Sequence, residues 1–262
     1  MTLLAVENLT VRFGTTRAVE RVSFALDRGR TLGLVGESGS GKSTVAAALL
    51  RLLPPAARVD SGRILFDGVD IAAAPERELE SLRGRRIAMI FQEPTAALDP
   101  VMTIGEQVAE PFLLHGGHSR ANALAEAHGL LERVGIPAHR ADSYPFQLSG
   151  GQRQRTMIAA AIALQPDLLI ADEPTTALDV TVQKGILDLL LDLQQEIGMA
   201  MVFISHDLAV VSTMADDVAV MRRGVIVESG AVGDVLGRPN HPYTQALLDA
   251  ARTRVGPIES AS

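Results

Sequence analysis

The feature that most constrains the fold is a glycine-rich octapeptide, GESGSGKS at residues 36–43, which matches the pattern GxxxxGK[ST]. It follows the apolar segment Thr31–Val35 and precedes a segment in which Val45 and Leu49 share one helical face. A buried strand, this loop and a helix N-terminus together form a nest of backbone N–H groups that binds phosphate oxygens. We therefore expect a nucleotide site here; the alternative is a glycine-rich turn with a solvated lysine.

Individual residues of this loop receive roles from their chemistry. Lys42 can reach the β and γ phosphate oxygens and take part in catalysis, and the Ser43 hydroxyl is the natural ligand for Mg²⁺. The nucleotide-binding residues expected from the loop and the start of the helix are Gly36, Glu37, Ser38, Gly39, Ser40, Gly41, Lys42, Ser43 and Thr44. Kinases, GTPases and helicases share this loop, so it does not identify the enzyme.

Two adjacent carboxylates end another apolar segment, Leu168–Ala171. Asp172 and Glu173 come at the edge where open α/β sheets bind their ligands. Because side chains alternate along a strand, we expect Asp172 to orient the hydrated Mg²⁺ and Glu173 to face the attacking water as general base. The alternative is a solvated strand end.

Two further polar residues follow predicted strands. Gln92 follows Ile87–Phe91, and its amide can both ligate Mg²⁺ and approach the lytic water. His206 follows Met201–Ile204, and its imidazole can hydrogen-bond the γ-phosphate and hold Glu173 and the water in line. A histidine after a strand is often structural, but the shared position of these residues at strand ends favours a catalytic role for both.

Composition restricts the class of protein. The net charge of -7 argues against a general nucleic-acid binder, which usually carries a basic face. Zero cysteines exclude disulfides, thiolate metal sites and iron–sulfur clusters. No run of about 18 uncharged apolar residues occurs, and the start of the chain alternates like a strand instead of resembling a signal peptide. We therefore expect a cytoplasmic protein whose membrane attachment comes through partners.

The order of predicted elements indicates one large domain with an insertion. Two pairs of alternating segments predict antiparallel hairpins, Leu3–Phe13 with Ala18–Leu26 and Asp217–Met221 with Val225–Glu228. Between them, short strands alternate with helices, which predicts a parallel sheet covered on both faces. The stretch from Pro94 to about Leu148 lacks strong strand patterns and predicts an inserted helical subdomain.

The first helix is expected to carry Leu52 and Leu53 on its apolar face and to end at Pro54 and Pro55.

The string LSGGQ at residues 148–152, ahead of an amphipathic helix, resembles the signature of the ABC ATPase family. It repeats the design of the phosphate loop, because Ser149, Gly150 and Gly151 expose donors at a helix N-terminus expected near Gln152. In the family, this second cradle closes over ATP bound to the opposite subunit, so that each site is shared across a dimer interface. The alternative is an ordinary serine–glycine turn.

The resemblance covers almost the whole chain and implies an α/β fold: a P-loop NTPase (RecA-like) core with a mixed, mainly parallel sheet, an antiparallel β subdomain and an inserted helical subdomain. It implies that Phe13 stacks on adenine, that Gln92 lies in the Q-loop and Asp179 in the D-loop, and that His206 is the switch histidine. For Phe13, a core aromatic is the alternative. The expected boundaries are 1–91 and 158–235 for the α/β core with its antiparallel subdomain, 92–157 for the helical signature subdomain and 236–262 for a C-terminal tail.

A narrower likeness is to the oligopeptide, dipeptide and nickel importers, and it is carried by GESGSGKS, FQEPTAALDP, YPFQLSGGQRQR, ADEPTTALDVTVQ, SHDLAVV and the late HPYT at residues 241–244. It implies ATP and Mg²⁺ as cofactors and a place on the cytoplasmic face of the inner membrane. The implied partners are two membrane permease subunits, a second ABC ATPase subunit, paralogous or identical, and an extracytoplasmic substrate-binding protein. Peptide-transporting relatives often extend beyond HPYT with a cysteine-containing tail, so the short cysteine-free end here favours the nickel or metallophore type.

The likeness also implies a groove that receives a coupling helix of the membrane subunit, formed by residues from Gln92 to about Met102 and by Tyr144–Gln147. Ordinary surface loops are the alternative. Three other functions stay open: a non-transport ABC ATPase acting on DNA or ribosomes, an exporter subunit, and a structural subunit with an inactive site. The first usually shows a long coiled coil or two cassettes in one chain, and the third conflicts with the intact Lys42 and Glu173.

Overall fold

The computed structural model describes residues 1–255 of the chain. The strands are β1 (Thr2–Phe13), β2 (Thr16–Asp27), β3 (Thr31–Val35), β4 (Ala57–Phe66), β5 (Val69–Asp70), β6 (Ile87–Ile90), β7 (Leu168–Asp172), β8 (Ala200–Ser205), β9 (Asp217–Arg222) and β10 (Val225–Ala231). The helices are α1 (Lys42–Leu49), α2 (Glu76–Leu82), α3 (Pro94–Ala97), α4 (Ile104–His115), α5 (Arg120–Arg133), α6 (Gly150–Ile162), α7 (Val180–Ile197), α8 (Leu208–Met214), α9 (Val232–Gly237) and α10 (Pro242–Val255). The end of the expected tail, residues 256–262, lies outside the described residues.

The chain divides into two compact units. Unit 1 comprises Met1–Ala73 and the described residues from Val202 to 255, and unit 2 comprises Ala74–Met201. The subdomain boundaries expected after residues 91, 157 and 235 stay predictions.

Unit 1 contains a four-stranded antiparallel sheet in the order β2-β1-β4-β5. Strand β1 pairs antiparallel with β2 on one side and with β4 on the other, which confirms the first predicted hairpin. Its core side chains, including Leu4, Leu9 and Val11, are fully buried. In β2, the buried residues Val19, Val22 and Leu26 are separated by more exposed ones, whereas β1, which is paired on both sides, contains consecutive buried residues at 3–4 and 9–11.

Unit 1 also contains strands of a mixed sheet. Strand β3 runs parallel to β9, and β9 pairs antiparallel with β10, which confirms the second predicted hairpin. All five residues of β3 are buried, as expected for a strand covered on both faces. This packing fixes the point from which the phosphate loop leaves the sheet.

Helix α1 is shorter than the sequence predicted. It ends at Leu49, and Arg51 takes a left-handed backbone with φ of 52°, so that the prolines at 54 and 55 do not terminate it. Leu52 is 45% exposed and does not lie on a buried helical face. The expected continuation to the prolines is therefore wrong, because the chain turns before it reaches them.

Unit 2 pairs β6 and β7 in parallel, with Ile87 opposite Leu168. Helices α3 to α6 lie between these strands in the sequence, and this part of the described chain contains no strand, as the pattern from Pro94 to Leu148 predicted. Every residue of β7 is buried. Within residues 1–255, no helix combines the length and the apolar composition needed to cross a bilayer.

Candidate nucleotide site

The phosphate loop connects β3 to α1 in unit 1, and its shape requires glycine at two positions. Gly36 has φ of 152° and Gly41 has φ of 104°, both in the region that disfavours other residues. A Cβ atom on Gly36 would lie 2.2 Å from the carbonyl oxygen of Met221, and one on Gly41 would lie 2.8 Å from that of Ala18. Because both obstacles are backbone atoms, these glycines let the loop lie against its neighbours.

Lys42 is folded back onto the loop that precedes it. Its Nζ donates to the carbonyl oxygens of Gly36 at 2.9 Å and Glu37 at 3.0 Å, and its side chain is buried. The first turn of an α-helix has N–H groups without acceptors inside the helix, and here that turn contains Lys42, Ser43 and Thr44. An ammonium group surrounded by such donors fits an anionic phosphate chain.

The predicted loop residues differ in their exposure. Ser40 and Lys42 are buried, and Gly41 and Thr44 are half-buried. Residues exposed to solvent are Glu37, Ser38, Gly39 and Ser43.

A residue without a role in the sequence analysis also contacts the loop. The hydroxyl oxygen of Tyr243, in α10, accepts a hydrogen bond from the backbone N–H of Glu37 at 3.2 Å. Tyr243 belongs to the HPYT string, which the sequence analysis used only as a family likeness. The contact joins residues 206 positions apart, so no local pattern could have revealed it.

Phe13 and His206 are the other predicted site residues of unit 1. Phe13 is the last residue of β1, opposite Thr16 in β2, and is half-buried. His206 follows directly after β8, as the apolar segment before it predicted, and its side chain is exposed. The next residue, Asp207, caps α8 by accepting from the backbone N–H groups of Ala209 and Val210. His206 therefore lies in a short connection that is fixed at both ends, while the nucleotide contacts of both residues stay predictions.

In unit 2, the predicted acidic pair straddles the end of β7. Asp172 is the last residue of the strand and is 4% exposed. Glu173 lies beyond the strand with φ of 46°, a left-handed conformation that is uncommon outside glycine and that often marks a functional site. The argument from strand alternation therefore does not apply to Glu173, because a turn of the backbone sets its direction.

Thr176 and Gln92 both donate hydrogen bonds to the Glu173 carboxylate. Thr176 Oγ1 donates to Glu173 Oε2 at 2.8 Å, and Gln92 Nε2 donates to the same oxygen at 3.4 Å. The structure thus brings together two of the predicted catalytic residues, Gln92 and Glu173. Sequence reasoning missed Thr176, although its spacing of three residues after Glu173 suits a turn closed by the backbone bond from Thr176 N to Glu173 O.

The LSGGQ string forms a capped helix start. Ser149 Oγ accepts from the backbone N–H of Gln152 at 3.3 Å, and the backbone N–H of Ser149 donates to Gln152 Oε1 at 3.0 Å. These two bonds form a capping box, and α6 begins at Gly150 instead of near Gln152. Ser149 and Gly150 are exposed, and Gly151 and Gln152 are half-buried.

Gly151 also sets how closely α6 approaches α7. A Cβ atom on Gly151 would lie 2.6 Å from Val182 Cγ1. Asp179 caps the same helix α7, because its Oδ1 accepts from the backbone N–H of Val182 at 2.9 Å. Its predicted contact with nucleotide stays a prediction beside this structural role.

Arg153 lies in α6, the helix that begins within LSGGQ, and it contacts both segments that are expected to bind a membrane subunit. Sequence reasoning did not single out Arg153. Its Nε donates to the carbonyl oxygen of Pro145 at 2.7 Å, and its NH1 donates to Thr95 Oγ1 at 3.4 Å. Next to Pro145, the rings of Tyr144 and Phe146 stack with centroids 5.6 Å apart. Phe146 is 67% exposed, which is unusual for so large an apolar side chain.

The strand, glycine loop and helix around Lys42 place the chain in the class of P-loop nucleotide-binding proteins. Comparison with known protein families then gives the family, because the model described as "ABC transporter" matches residues 19–176, more than half of the chain. The chain belongs to the ABC transporter family, as one of its ATP-binding subunits, and the predicted family and α/β fold class are confirmed.

Individual relatives agree with this assignment. The chain is 52% identical over 267 residues to the peptidoglycan transport ATP-binding protein YejF of Agrobacterium fabrum, and the match covers 99% of the chain and 49% of that protein. It therefore spans about half of that relative. It is 48% identical over 256 residues to the dipeptide transport ATP-binding protein DppD of Escherichia coli, covering 95% of the chain and 78% of the relative.

A solved structure agrees as well. The ATP-binding cassette MJ0796, in a dimeric post-hydrolysis state bound to ADP and Pi, superposes with a TM-score of 0.78 at 28% identity, covering 87% of this chain and 98% of that one.

Proposed function

We propose that the chain hydrolyses ATP to power the uptake of peptides, or of nickel and other metal chelates, through membrane permease subunits. The proposal of ATP hydrolysis rests on the hydrogen bonds that orient Glu173, the residue directly after the buried Asp172. The Glu173 carboxylate accepts these bonds from Gln92 and Thr176. A carboxylate fixed in this way, within a family of ATP-binding subunits, is suited to act as a general base.

In the proposed reaction, Glu173 accepts a proton from the attacking water. The water oxygen forms a bond to the γ-phosphorus, the bond between the γ-phosphorus and the β–γ bridging oxygen breaks, and ADP and phosphate are the products. Gln92 orients the carboxylate and the water, and Lys42 stabilises charge on the phosphate oxygens. His206 donates a hydrogen bond to the γ-phosphate in this proposal, the role that the sequence predicted for it.

Mg²⁺, when bound with ATP, neutralises charge on the β and γ phosphate oxygens. The predicted ligands are Ser43, Gln92 and Asp172, which supply the oxygen donors that this ion prefers. Asp172 fits the assignment, because a carboxylate this buried is favoured beside a positive charge.

We infer that two ATPase subunits work as a pair. The chain contains two helix starts built from serine and glycine residues, within residues 36–43 and 149–152, and one triphosphate does not require two such cradles. In the proposed pair, the nucleotide site of each subunit is completed by the other subunit's signature residues, Ser149, Gly150, Gly151 and Gln152. Asp179 is proposed to lie beside these signature residues. Phe13 is proposed to stack on the adenine of the nucleotide bound to its own subunit. The dimeric state of the related cassette MJ0796 supports this arrangement.

The proposed link to transport runs through Arg153. Because its guanidinium group binds Pro145 in one expected docking segment and Thr95 in the other, a movement of α6 would displace both segments together. The exposed Phe146 beside them offers apolar surface to a coupling helix of a permease on the cytoplasmic face of the membrane. The transport functions named for two relatives, of peptidoglycan and of dipeptides, support a peptide-like cargo, and we propose that an extracytoplasmic binding protein delivers it.

The deciding experiment is co-purification of the chain with candidate permease subunits, followed by ATPase assays with a candidate binding protein loaded with peptides or with chelated nickel. We expect ATP hydrolysis that rises with one of these cargoes and disappears in Glu173→Gln. Hydrolysis by the purified complex that is equal in wild type and Glu173→Gln would refute the catalytic assignment. An active complex that no peptide or nickel chelate stimulates would refute the proposed cargo classes alone.

A further inference from the structure

Tyr243 lies at the start of α10 and reaches the phosphate loop from outside the motif. Its hydroxyl oxygen accepts the backbone N–H of Glu37, the second residue of the loop, at 3.2 Å. The side chain is 6% exposed, so water has little access to the tyrosine end of this bond. A buried tyrosine hydroxyl usually has a hydrogen-bond partner, and here that partner belongs to the nucleotide site.

The aromatic ring is held in place by the hairpin of β9 and β10. The guanidinium carbon of Arg222 lies 4.8 Å from the centroid of the Tyr243 ring, a cation–π distance. The same hairpin touches the loop directly, because the backbone N–H of Gly224 donates to the carbonyl oxygen of Ser40 at 2.9 Å. The loop therefore has two supports in unit 1, one from hairpin backbone and one from Tyr243.

The backbone that carries Tyr243 is anchored as well. Glu228 in β10 accepts the backbone N–H groups of Asn240 at 2.7 Å and His241 at 3.2 Å. His241 Nδ1 in turn accepts the backbone N–H of Tyr243 at 3.1 Å. This chain of bonds runs from β10 through the residues before α10 to the tyrosine, so that the hydroxyl meets the loop at a fixed position.

We propose that Tyr243 is a positioning residue for nucleotide binding, which fixes the phosphate loop in its binding conformation through the Glu37 N–H. The inference rests on the proposed ATPase function and adds to it a residue far outside the nucleotide motifs. A loop that is ordered before the ligand arrives binds more tightly, because less conformational freedom is lost on binding. The loop holds the phosphates common to ATP and ADP, so Tyr243 strengthens the binding of both nucleotides equally.

The test is Tyr243→Phe, which removes the hydroxyl and keeps the ring beside Arg222. Loss of one hydrogen bond of ordinary strength predicts that the Kd values for ATP and ADP both rise about fivefold to tenfold. The KM for ATP should rise by the same factor while kcat stays within about twofold. This result is expected when a lost interaction stabilised the bound substrate and the transition state equally. In the nucleotide-free chain, the amide of Glu37 should exchange its hydrogen faster.

Ser212→Ala is the matched control, because that hydroxyl donates within α8 to the carbonyl oxygen of Ala209 and is exposed. It should leave both Kd values and the exchange of Glu37 unchanged. A second variant, Arg222→Gln, keeps the hydroxyl but removes the cation from the ring, and should raise both Kd values by a smaller factor.

Unchanged Kd values and unchanged Glu37 exchange in Tyr243→Phe would overturn the proposal, and so would a fall in kcat at constant Kd. If Tyr243→Phe does not fold, an Arg222→Gln variant with wild-type nucleotide affinity and wild-type Glu37 exchange would also overturn it. A wild-type chain that binds no ATP would instead refute the proposed function, which keeps the two failures distinguishable.

Discussion

Gln92 and Glu173 meet side chain to side chain, with Gln92 Nε2 donating to Glu173 Oε2 at 3.4 Å, although 81 residues separate them in the chain. They meet because β6 and β7 run parallel in adjacent register, so that the residues following the two strands lie at the same edge. The left-handed backbone at Glu173 sets the direction of its side chain, and the hydrogen bond from Gln92 then fixes the orientation of the Glu173 carboxylate.

Replacing Glu173 by glutamine should nearly abolish ATP turnover and leave ATP binding largely intact. A positioned base typically contributes about 100- to 10,000-fold, and glutamine keeps the shape of the side chain without the proton acceptor. Steady-state ATPase assays and nucleotide titration check both parts. Glu196→Gln, at an exposed position on α7, is the matched control and should retain wild-type turnover.

Lys42→Ala should weaken ATP binding by roughly 10- to 100-fold, because a hydrogen bond to a charged phosphate is among the stronger ones. The measurement is a titration of the full chain with a fluorescent ATP analogue. Lys184 in α7 is the one other lysine in the sequence and is exposed, so Lys184→Ala controls for the loss of positive charge. Equal losses of affinity in the two variants would contradict a specific role for Lys42.

Gly151→Ala should destabilise the fold by about 1 to 3 kcal/mol, since the added Cβ would overlap the Val182 side chain. Gly150→Ala, whose Cβ would lie 3.5 Å from Leu178 in ordinary contact, should cost little or stabilise the first turn of α6. Urea unfolding of both variants measures the difference. Adding Val182→Ala to Gly151→Ala should restore part of the loss, and additive effects would argue against the proposed overlap.

Arg153→Met should lower the number of cargo molecules taken up per ATP hydrolysed, because the signature helix loses its bonds to Pro145 and Thr95. Methionine keeps the apolar stem of the side chain. Paired transport and ATPase assays in proteoliposomes give the ratio. Arg120→Met removes an exposed ion pair with Glu106 and should leave the ratio unchanged; the same ratio in all three proteins would disprove the coupling role of Arg153.

Glu228 should stabilise the fold at neutral pH and lose this effect in acid. Burial raises the pKa of Glu228, but its hydrogen bonds, including those from the backbone N–H groups of Asn240 and His241, lower it more, so that the pKa lies below its ordinary value of 4.5. A group with a lowered pKa in the folded state contributes fully above its unfolded pKa, and the contribution is lost as the pH falls through the folded pKa. The difference in free energy of unfolding between wild type and Glu228→Gln should therefore be constant near pH 7 and shrink below about pH 4.5. Urea unfolding from pH 7 to pH 3 tests this, and a difference independent of pH would exclude the carboxylate as its source.

The sequence predicted the fold best where the pattern of apolar residues alone determines the type of secondary structure. The mainly apolar segment Thr31–Val35 and the apolar segment Leu168–Ala171 are buried strands, and both hairpins formed as expected. It failed at Leu52, where helical periodicity continues past the end of α1, because periodicity does not record the left-handed turn at Arg51.

The candidate site was predictable in its residue types but not in its contacts. The phosphate loop, the LSGGQ capping box and the Asp172–Glu173 pair each consist of consecutive residues. Short stretches of sequence are therefore enough to predict their chemistry. The short strings contain Gln92, Thr176 and Arg153, but they do not show which groups these side chains contact. The bond from Gln92 to Glu173 and the bond from Arg153 to Thr95 join residues 81 and 58 positions apart, so only the folded chain reveals them.

The amino-acid sequence by itself determined the family and the fold class, and it predicted which residues bind phosphate and which carboxylates act in catalysis, because each depends on spacing along a few neighbouring positions. Tertiary structure alone decided that Glu173 turns left-handed toward Gln92 and that Tyr243 reaches the phosphate loop from α10. The physical reason is that these contacts join distant parts of the chain, and their geometry depends on how strands and helices pack and not on the order of residues within any one of them.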